Sequence, residues 1–396
     1  MFRPPPKPPL ASSPAPGYAG GRPLHARIVE TLRYFSDEID SRRAGGLGEA
    51  QAAGYIAGRL RRADYAAAVQ SFTAGVSEKL PLALCTLLGA AGGSIAILAR
   101  NTRLGPFWGG LALLLLAAAL GLLLAEVDVL PIGTTTLRRL VKGKTSQSVI
   151  AGRAAKGKKT KWRVLVVAPL DGPLRSVLHR QGLLVLFGVL VLETVAVVAL
   201  LFTAAPWLHG LAAVCAVGVG LLGVWIVLRL WDRTPLPAIY GAGELTTLMM
   251  VAEELEALHA VEVWIVALGG STIGTENIRA LFAQYPFSAA DTCIINLHAI
   301  NGGQPVFVTR EGLLRERRSD RMLLAAAADA DAADIMIDAE PRRIRERTLA
   351  QALAHRRLRT ITISSHSDVS PFATPEPATI ERCVRLVVGM IRGLDL

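Results

Sequence analysis

The sequence predicts an α/β fold: a three-layer α/β/α sandwich on a mostly parallel sheet, into which two transmembrane helical hairpins are inserted. The first observation is alternation, since apolar strand-like runs take turns with helix-period segments throughout the polar parts of the chain. The second is a set of four apolar runs, residues 80–99, 104–124, 183–205 and 207–230. Each has about the 20 residues a helix needs to cross a hydrocarbon core. The third is residues 164–172, V-L-V-V-A-P-L-D-G. This reads as a buried strand that stops at Pro169 and presents Asp171 just past its end, at the edge where ligands collect in open α/β sheets.

Composition agrees with a membrane protein. The 396 residues are 52% hydrophobic, their mean hydropathy is +0.40, and the formal net charge is +11. The four runs come as two pairs. Asn101, Thr102 and Arg103 separate the first pair and Pro206 the second, so each pair makes a tight antiparallel hairpin. Two hairpins return the chain to its starting side. Lys79, Arg138, Arg139, Lys142, Lys144, Arg175, Arg180, Arg229 and Arg233 flank the helices there, whereas the tips offer Arg100 and Arg103. The positive-inside bias therefore places the polar segments in the cytoplasm, on a bacterial-type inner or plasma membrane. A basic body suits the anionic leaflet. Basic residues are not interleaved with aromatics, which argues against a nucleic-acid partner.

Residues 1–23 are proline-rich without an apolar core, which reads as a disordered tail rather than a signal peptide. Helical spacing of Leu24, Ile28, Leu32 and Phe35 predicts a helix over 24–39, followed by a glycine-rich turn over 41–48 and a helix over 49–62. A strand is expected over 65–72, a second over 148–153, a hairpin turn at K-G-K-K-T-K over 156–161, and a third strand over 164–168. Beyond the second hairpin, helices are expected over 244–259, 275–285, 319–333, 343–356 and 376–394, and strands over 261–268, 292–297, 304–309 and 360–364. Counting strand directions makes both hairpins leave one edge of a single sheet. The implied organisation is a tail (1–23), α/β segments (24–79, 125–182, 231–396) and membrane hairpins (80–124, 183–230).

Four cysteines offer no zinc or disulfide spacing: Cys85 and Cys215 lie in apolar runs, and Cys293 and Cys383 have no C-x-x-C partner. Gly143, Lys144 and Thr145 imitate the end of a P-loop, but Arg138 stands where its first glycine belongs. Ser365, His366 and Asp368 are too close in sequence for a nucleophilic triad, whose members come from separate elements.

Several short stretches follow one another along the chain: Ser41 and Arg42 with the glycine-rich turn, S-Q-S-V-I-A over 146–151, A-P-L-D over 168–171, G-A-G-E over 241–244, Gly274 with Thr275, and N-L-H over 296–298. In that order the chain resembles the M28-type zinc aminopeptidases, over about 24–72, 146–171 and 237–394. Ser41 and Arg42 with the glycine-rich turn look like the family's opening helix region, and S-Q-S-V-I-A over 146–151 resembles its N-V-I-A strand. A-P-L-D over 168–171 stands where A-H-x-D is expected, G-A-G-E over 241–244 for G-A-N-D, and N-L-H over 296–298 for N-L-D. Gly274 and Thr275 match the G-S that follows the family's glutamate pair. The resemblance implies an α/β/α sandwich holding two zinc ions through imidazole and carboxylate ligands, with a glutamate as general base.

Carried over residue by residue, that ligand set is depleted. Pro169 replaces the first histidine and has no donor atom. Asp171 is left as the carboxylate that would orient it. Glu244 stands for the bridging aspartate and His298 for the other aspartate ligand. The glutamate pair falls on Leu268 and Gly269, or on Gly269 and Gly270. The last histidine is either His366 or absent, if the stretch at Phe372 and Ala373 is the better match. The expectation is a membrane-anchored, peptidase-like protein without catalysis, a binding or scaffolding module with a membrane protein as partner. The alternatives are a zinc metallopeptidase with a rearranged site (Glu244, His298 and His366 with Asp171) and a transport or channel subunit that uses Glu193.

Glu193 sits mid-span in the third apolar run, where an ionised carboxylate costs at least about 2.5 kcal/mol. It contacts either a partner, lipid or substrate, or a neighbour inside the bundle. Gly89 and Gly93 form a G-x-x-x-G face, expected to pack against another helix of the same chain.

Overall fold

The structure, a computed structural model, describes residues 22–74, 79–99, 105–126, 143–157, 159–172, 180–203, 206–230, 236–272, 275–312, 316–346, 348–354, 357–366 and 374–395. The tail to residue 21, both hairpin tips, most of the flanking basic residues, Gly274, and Asp368 through Ala373 lie outside them.

The chain opens with α1 (Leu24–Asp37) and α2 (Leu47–Arg62), then β1 (Ala66–Ala74), β2 (Lys144–Arg153) and β3 (Trp162–Pro169). After the second insertion come α7 (Ala242–Glu254), β4 (Val261–Leu268), α8 (Glu276–Gln284), β5 (Thr292–Leu297), β6 (Gln304–Glu311) and β7 (Arg317–Arg318). It closes with α9 (Arg321–Ala333), β8 (Glu340–Ile344), α10 (Leu349–Ala354), β9 (Arg359–His366) and α11 (Pro377–Asp395). These strands form one sheet in the order β1-β2-β4-β3-β5-β9-β6-β7, with β8 beside β6.

Period-2 alternation sets the layers. Val164, Val166 and Ala168 of β3 face a core shared with α1, α2, α7, α9 and α11. Leu165 and Val167 face the opposite one, built with Ile278 and Leu281 of α8 and Leu353 of α10. A strand apolar on both faces belongs in the centre, and β3 lies between β4 and β5, parallel to both.

Three expectations need correction. The sheet is mixed rather than mostly parallel: β4, β3, β5 and β9 are parallel, but β1–β2, β2–β4, β6–β9 and β6–β7 are antiparallel. The lysine-rich turn does not close a β2–β3 hairpin, because β4 pairs with both strands and separates them. A strand as apolar as β3 is better satisfied between two buried strands than beside the more polar β2. The helix expected over 343–356 is shortened to α10, because residues 340–344 instead pair along β6 as β8. As the outer neighbour of β6, β8 tolerates its proline.

Register fixes where the insertions leave. Ala74 of β1 pairs with Lys144 of β2, and Val149 of β2 pairs with Ala267 of β4. Pro169 ends β3 opposite Leu268. The chain therefore departs at Ala74 and again after Gly172 from the same edge of the sheet.

The insertions contain α3 (Lys79–Ala99), α4 (Gly105–Glu126), α5 (Arg180–Phe202) and α6 (Pro206–Leu230), each containing a stretch of 19 to 22 residues long and apolar enough to cross a membrane. The α3 helix packs on α4 and α6, and α5 packs on α4 and α6. Their outward faces expose large apolar side chains such as Phe202, Val214 and Leu221.

Candidate functional site

The departure edge of the sheet gathers the residues singled out from the sequence. Asp171, just beyond β3, is buried, and its carboxylate accepts hydrogen bonds from the turn that follows β4. Its Oδ1 accepts from Ser271 N at 3.0 Å and its Oδ2 from Thr272 N at 2.8 Å, and both hydroxyls add a second bond. Four donors leave this carboxylate as an anchor for the turn.

Glu49, in the first turn of α2, holds the same turn. Its carboxylate accepts from Gly45 N at 2.6 Å, Gly270 N at 3.0 Å and Ser146 Oγ at 2.7 Å. Burial pushes its pKa up to about 7, with the nearby Asp171 charge acting the same way, although the three hydrogen bonds pull it down. Ser148 Oγ receives the Gly269 N–H at 3.2 Å. Sequence reading assigned Glu49 only to a helix; a carboxylate that follows a glycine-rich turn by a few residues was the available signal.

Arg42 is the second residue the sequence underestimated. It is buried, with its guanidinium 5.3 Å from the Phe35 ring centroid. Nη1 donates to Leu170 O at 2.7 Å, Nε to Ala238 O at 3.1 Å and Nη2 to Tyr240 O at 2.9 Å. Burial lowers its pKa to about 10, opposed by the charges of Glu244 and Asp171. A guanidinium at that value is still a cation at neutral pH, and it supplies fixed positive charge to both carboxylates.

Glu244 lies in the first turn of α7, a favourable place for an acid. Its Oε1 accepts from Ala299 N at 2.8 Å. Ala299 adopts φ of 49°, a left-handed conformation that aims this N–H at the acid. The Oε2 atom is buried and has no hydrogen-bond partner among the described residues. His298 precedes Ala299, so Glu244 and His298 do come together. The backbone N–H of His298 is spent on Ile363 O at 3.0 Å, and its Nε2 is 3.4 Å from Glu346 Oε2. Desolvation pushes the His298 pKa down, but the hydrogen bond and charge of Glu346 outweigh it, and the net shift is upward; Glu346 shifts downward in return.

His366 is exposed at the end of β9, opposite Gln304 of β6. Glu311, buried at the end of β6, accepts from Thr348 Oγ1 at 2.8 Å and Thr362 Oγ1 at 2.7 Å, an acid that sequence reading passed over.

A two-zinc centre does not fit these residues. Pro169 offers no donor. At Gly269 a β-carbon would collide with Gln147 O and close on Glu49 Oε1, so the turn has no room for a glutamate side chain. Asp171 is saturated and Arg42 already places a cation beside Glu244. Among the described residues no three His, Cys, Asp or Glu side chains form a group able to hold a metal. Among the described residues Glu244 and His298 remain as candidate donors.

With this geometry in hand, the chain can be compared with known proteins. No family model matches the sequence, and no curated protein aligns with it significantly. The structure is similar to a zinc aminopeptidase from Bacillus subtilis at 12% identity and a TM-score of 0.53, over 94% of this chain and 96% of that one. A second structure of the Bacillus subtilis enzyme gives 11% identity and a TM-score of 0.54, with the same coverage. The fold is therefore that of a zinc aminopeptidase, a mixed α/β sheet flanked by helices. At this identity the likeness extends to the fold alone.

Proposed function

We propose that this chain is an integral membrane protein whose aminopeptidase-type domain binds a partner at the membrane surface and does not hydrolyse peptides. The observation that carries this reading is Arg42. Its buried guanidinium sets a positive charge facing Asp171 and Glu244 from within the protein, at the sheet edge where the resemblance to M28-type aminopeptidases would put zinc. A built-in cation satisfies the electrostatics of that edge without supplying an activated water or a general base. The four apolar helices, with their exposed apolar faces, are read as two membrane hairpins. The polar segments are then cytoplasmic, by the positive-inside bias.

The test is metal analysis and peptide hydrolysis on the purified full-length chain in lipid vesicles with zinc supplied. Neither two bound equivalents nor hydrolysis above that of protein-free vesicles is expected; finding both overturns the proposal. One observation favours a second reading, a single-ion site: the unpartnered Oε2 of Glu244 beside His298. In that case Glu244→Ala and His298→Ala would each abolish a measurable turnover.

A further inference from the structure

Glu193 lies just past the middle of α5 and is completely buried in the helical bundle. Neither of its carboxylate oxygens has a hydrogen-bond partner among the described residues. The side chain is aimed at the G-x-x-x-G face of α3. A β-carbon on Gly93 would collide with Glu193 Oε1, and one on Gly89 would lie 3.9 Å from Oε2. The same two glycine positions face Leu190 of α5 and Val219 and Ala216 of α6, so the notch around the carboxyl is otherwise hydrocarbon.

Among the described residues, the side chains packed around it supply no counter-charge. The Cys215 thiol of α6 is close enough to interact with it. The Cys85 thiol of α3 is engaged with Ala119 O at 3.1 Å, and Thr194 Oγ1 with Leu190 O at 2.7 Å. An ionised carboxylate here would face hydrocarbon without a donor among the described residues, a cost that a carboxyl in a membrane interior avoids by keeping its proton.

We propose that Glu193 and the Gly89–Gly93 notch form a proton-binding site inside the membrane bundle. The bundle closes around the neutral acid, and release of the proton requires α3 to part from α5 and α6 so that the carboxylate can hydrate. This proposal is independent of the reading of the sheet edge, because it concerns a different part of the chain and a different ligand.

Infrared difference spectroscopy of the full-length chain in phosphatidylcholine–phosphatidylglycerol vesicles tests the first part. At neutral pH, wild type minus Glu193→Gln should show the carbonyl band of a neutral carboxylic acid, and Glu193→Asp should restore a shifted band. Absence of the band from that difference overturns the proposal. Alkylation of Cys215 by a small maleimide tests the second part. On raising the pH, its accessibility should increase in wild type beyond the increase in Glu193→Gln, which cannot ionise. An equal increase in the two proteins overturns the coupling between proton release and opening. Were Glu193→Gln to misfold, wild type minus Glu193→Asp would still carry the first readout as a shifted pair of carbonyl bands, and Glu193→Ala, which has no carboxyl to ionise, would take its place in the labelling.

Discussion

Glu49 Oε1 accepts the Gly270 N–H at 3.0 Å, which ties the second helix of the chain to the turn after β4. Asp171 grips the next two residues of that turn from the end of β3. Two carboxylates thus hold by hydrogen bonds the stretch where the resemblance to M28-type aminopeptidases would put a glutamate pair. Both acids are engaged by hydrogen bonds from this one turn.

The raised Glu49 pKa makes stability depend on pH. An acid that binds its proton more tightly when folded stabilises the fold at low pH, and that contribution is lost as pH rises from the unfolded value of 4.5 through about 7. The ceiling is about 3 kcal/mol for a shift of this size. Chemical denaturation across this window should show stability falling with pH in wild type, and Glu49→Gln should flatten the curve. An unchanged slope in the variant would show that Glu49 is not the titrating group.

Replacing Arg42 with Met should be among the more damaging single changes in the polar domain. It strands the carbonyls of Leu170, Ala238 and Tyr240 and removes the cation facing Asp171 and Glu244. Breaking a buried charge arrangement from one side costs about 3–5 kcal/mol. Arg42→Lys should recover only part of this, because an ammonium lacks the planar fork that reaches three carbonyls. Urea midpoints of the two variants check both statements.

His298 and Glu346 offer a titration that nuclear magnetic resonance can read directly. Glu346→Gln should lower the imidazole pKa, since burial would then act on it without the compensating carboxylate. The sign for stability follows. A histidine whose folded pKa is raised contributes fully below about 6.5, and the contribution disappears as pH rises through the folded value. A His298 titration unmoved by Glu346→Gln would remove the pair from the site.

Within the membrane bundle, Gly93→Ala should destabilise by about 1–3 kcal/mol, because the added methyl meets Glu193 and Ala216. Gly110→Ala serves as the control. A β-carbon there meets nothing within 4 Å, and its effect should stay within about 0.5 kcal/mol. Thermal unfolding of the two variants in the same vesicles separates local packing from a general intolerance of substitution.

Topology can be read by thiol labelling in intact cells, since the native cysteines Cys85, Cys215, Cys293 and Cys383 are free and buried. An impermeant maleimide should reach Asn101→Cys at the first hairpin tip from outside. It should reach Lys156→Cys, in the β2–β3 connection, only after permeabilisation. The reverse pattern would invert the orientation.

Much of this protein is visible along the chain because the relevant signals are local. An apolar run long enough to span a membrane, a strand without polar residues such as 164–168, and the helical spacing of Leu24, Ile28, Leu32 and Phe35 each declare themselves within a few residues. So does the loss of a donor at Pro169. Element order follows from these signals, and strand parity brings both insertions to one edge.

The kind of elements and their order were thus written along the chain. Pairing was decided in three dimensions. The insertion of β4 between β2 and β3 depends on which strands need two buried neighbours, and the strand at Pro341 depends on the free edge of β6. The identity of the site was decided there too. Arg42 and Glu49 lie in an ordinary-looking turn and helix start, and only packing brings them to Asp171, Glu244 and Gly270, across separations of up to 221 residues. The physical reason is that a hydrophobic period is written in neighbouring residues, whereas the electrostatics of a buried edge is a sum over side chains that meet only after the chain has folded.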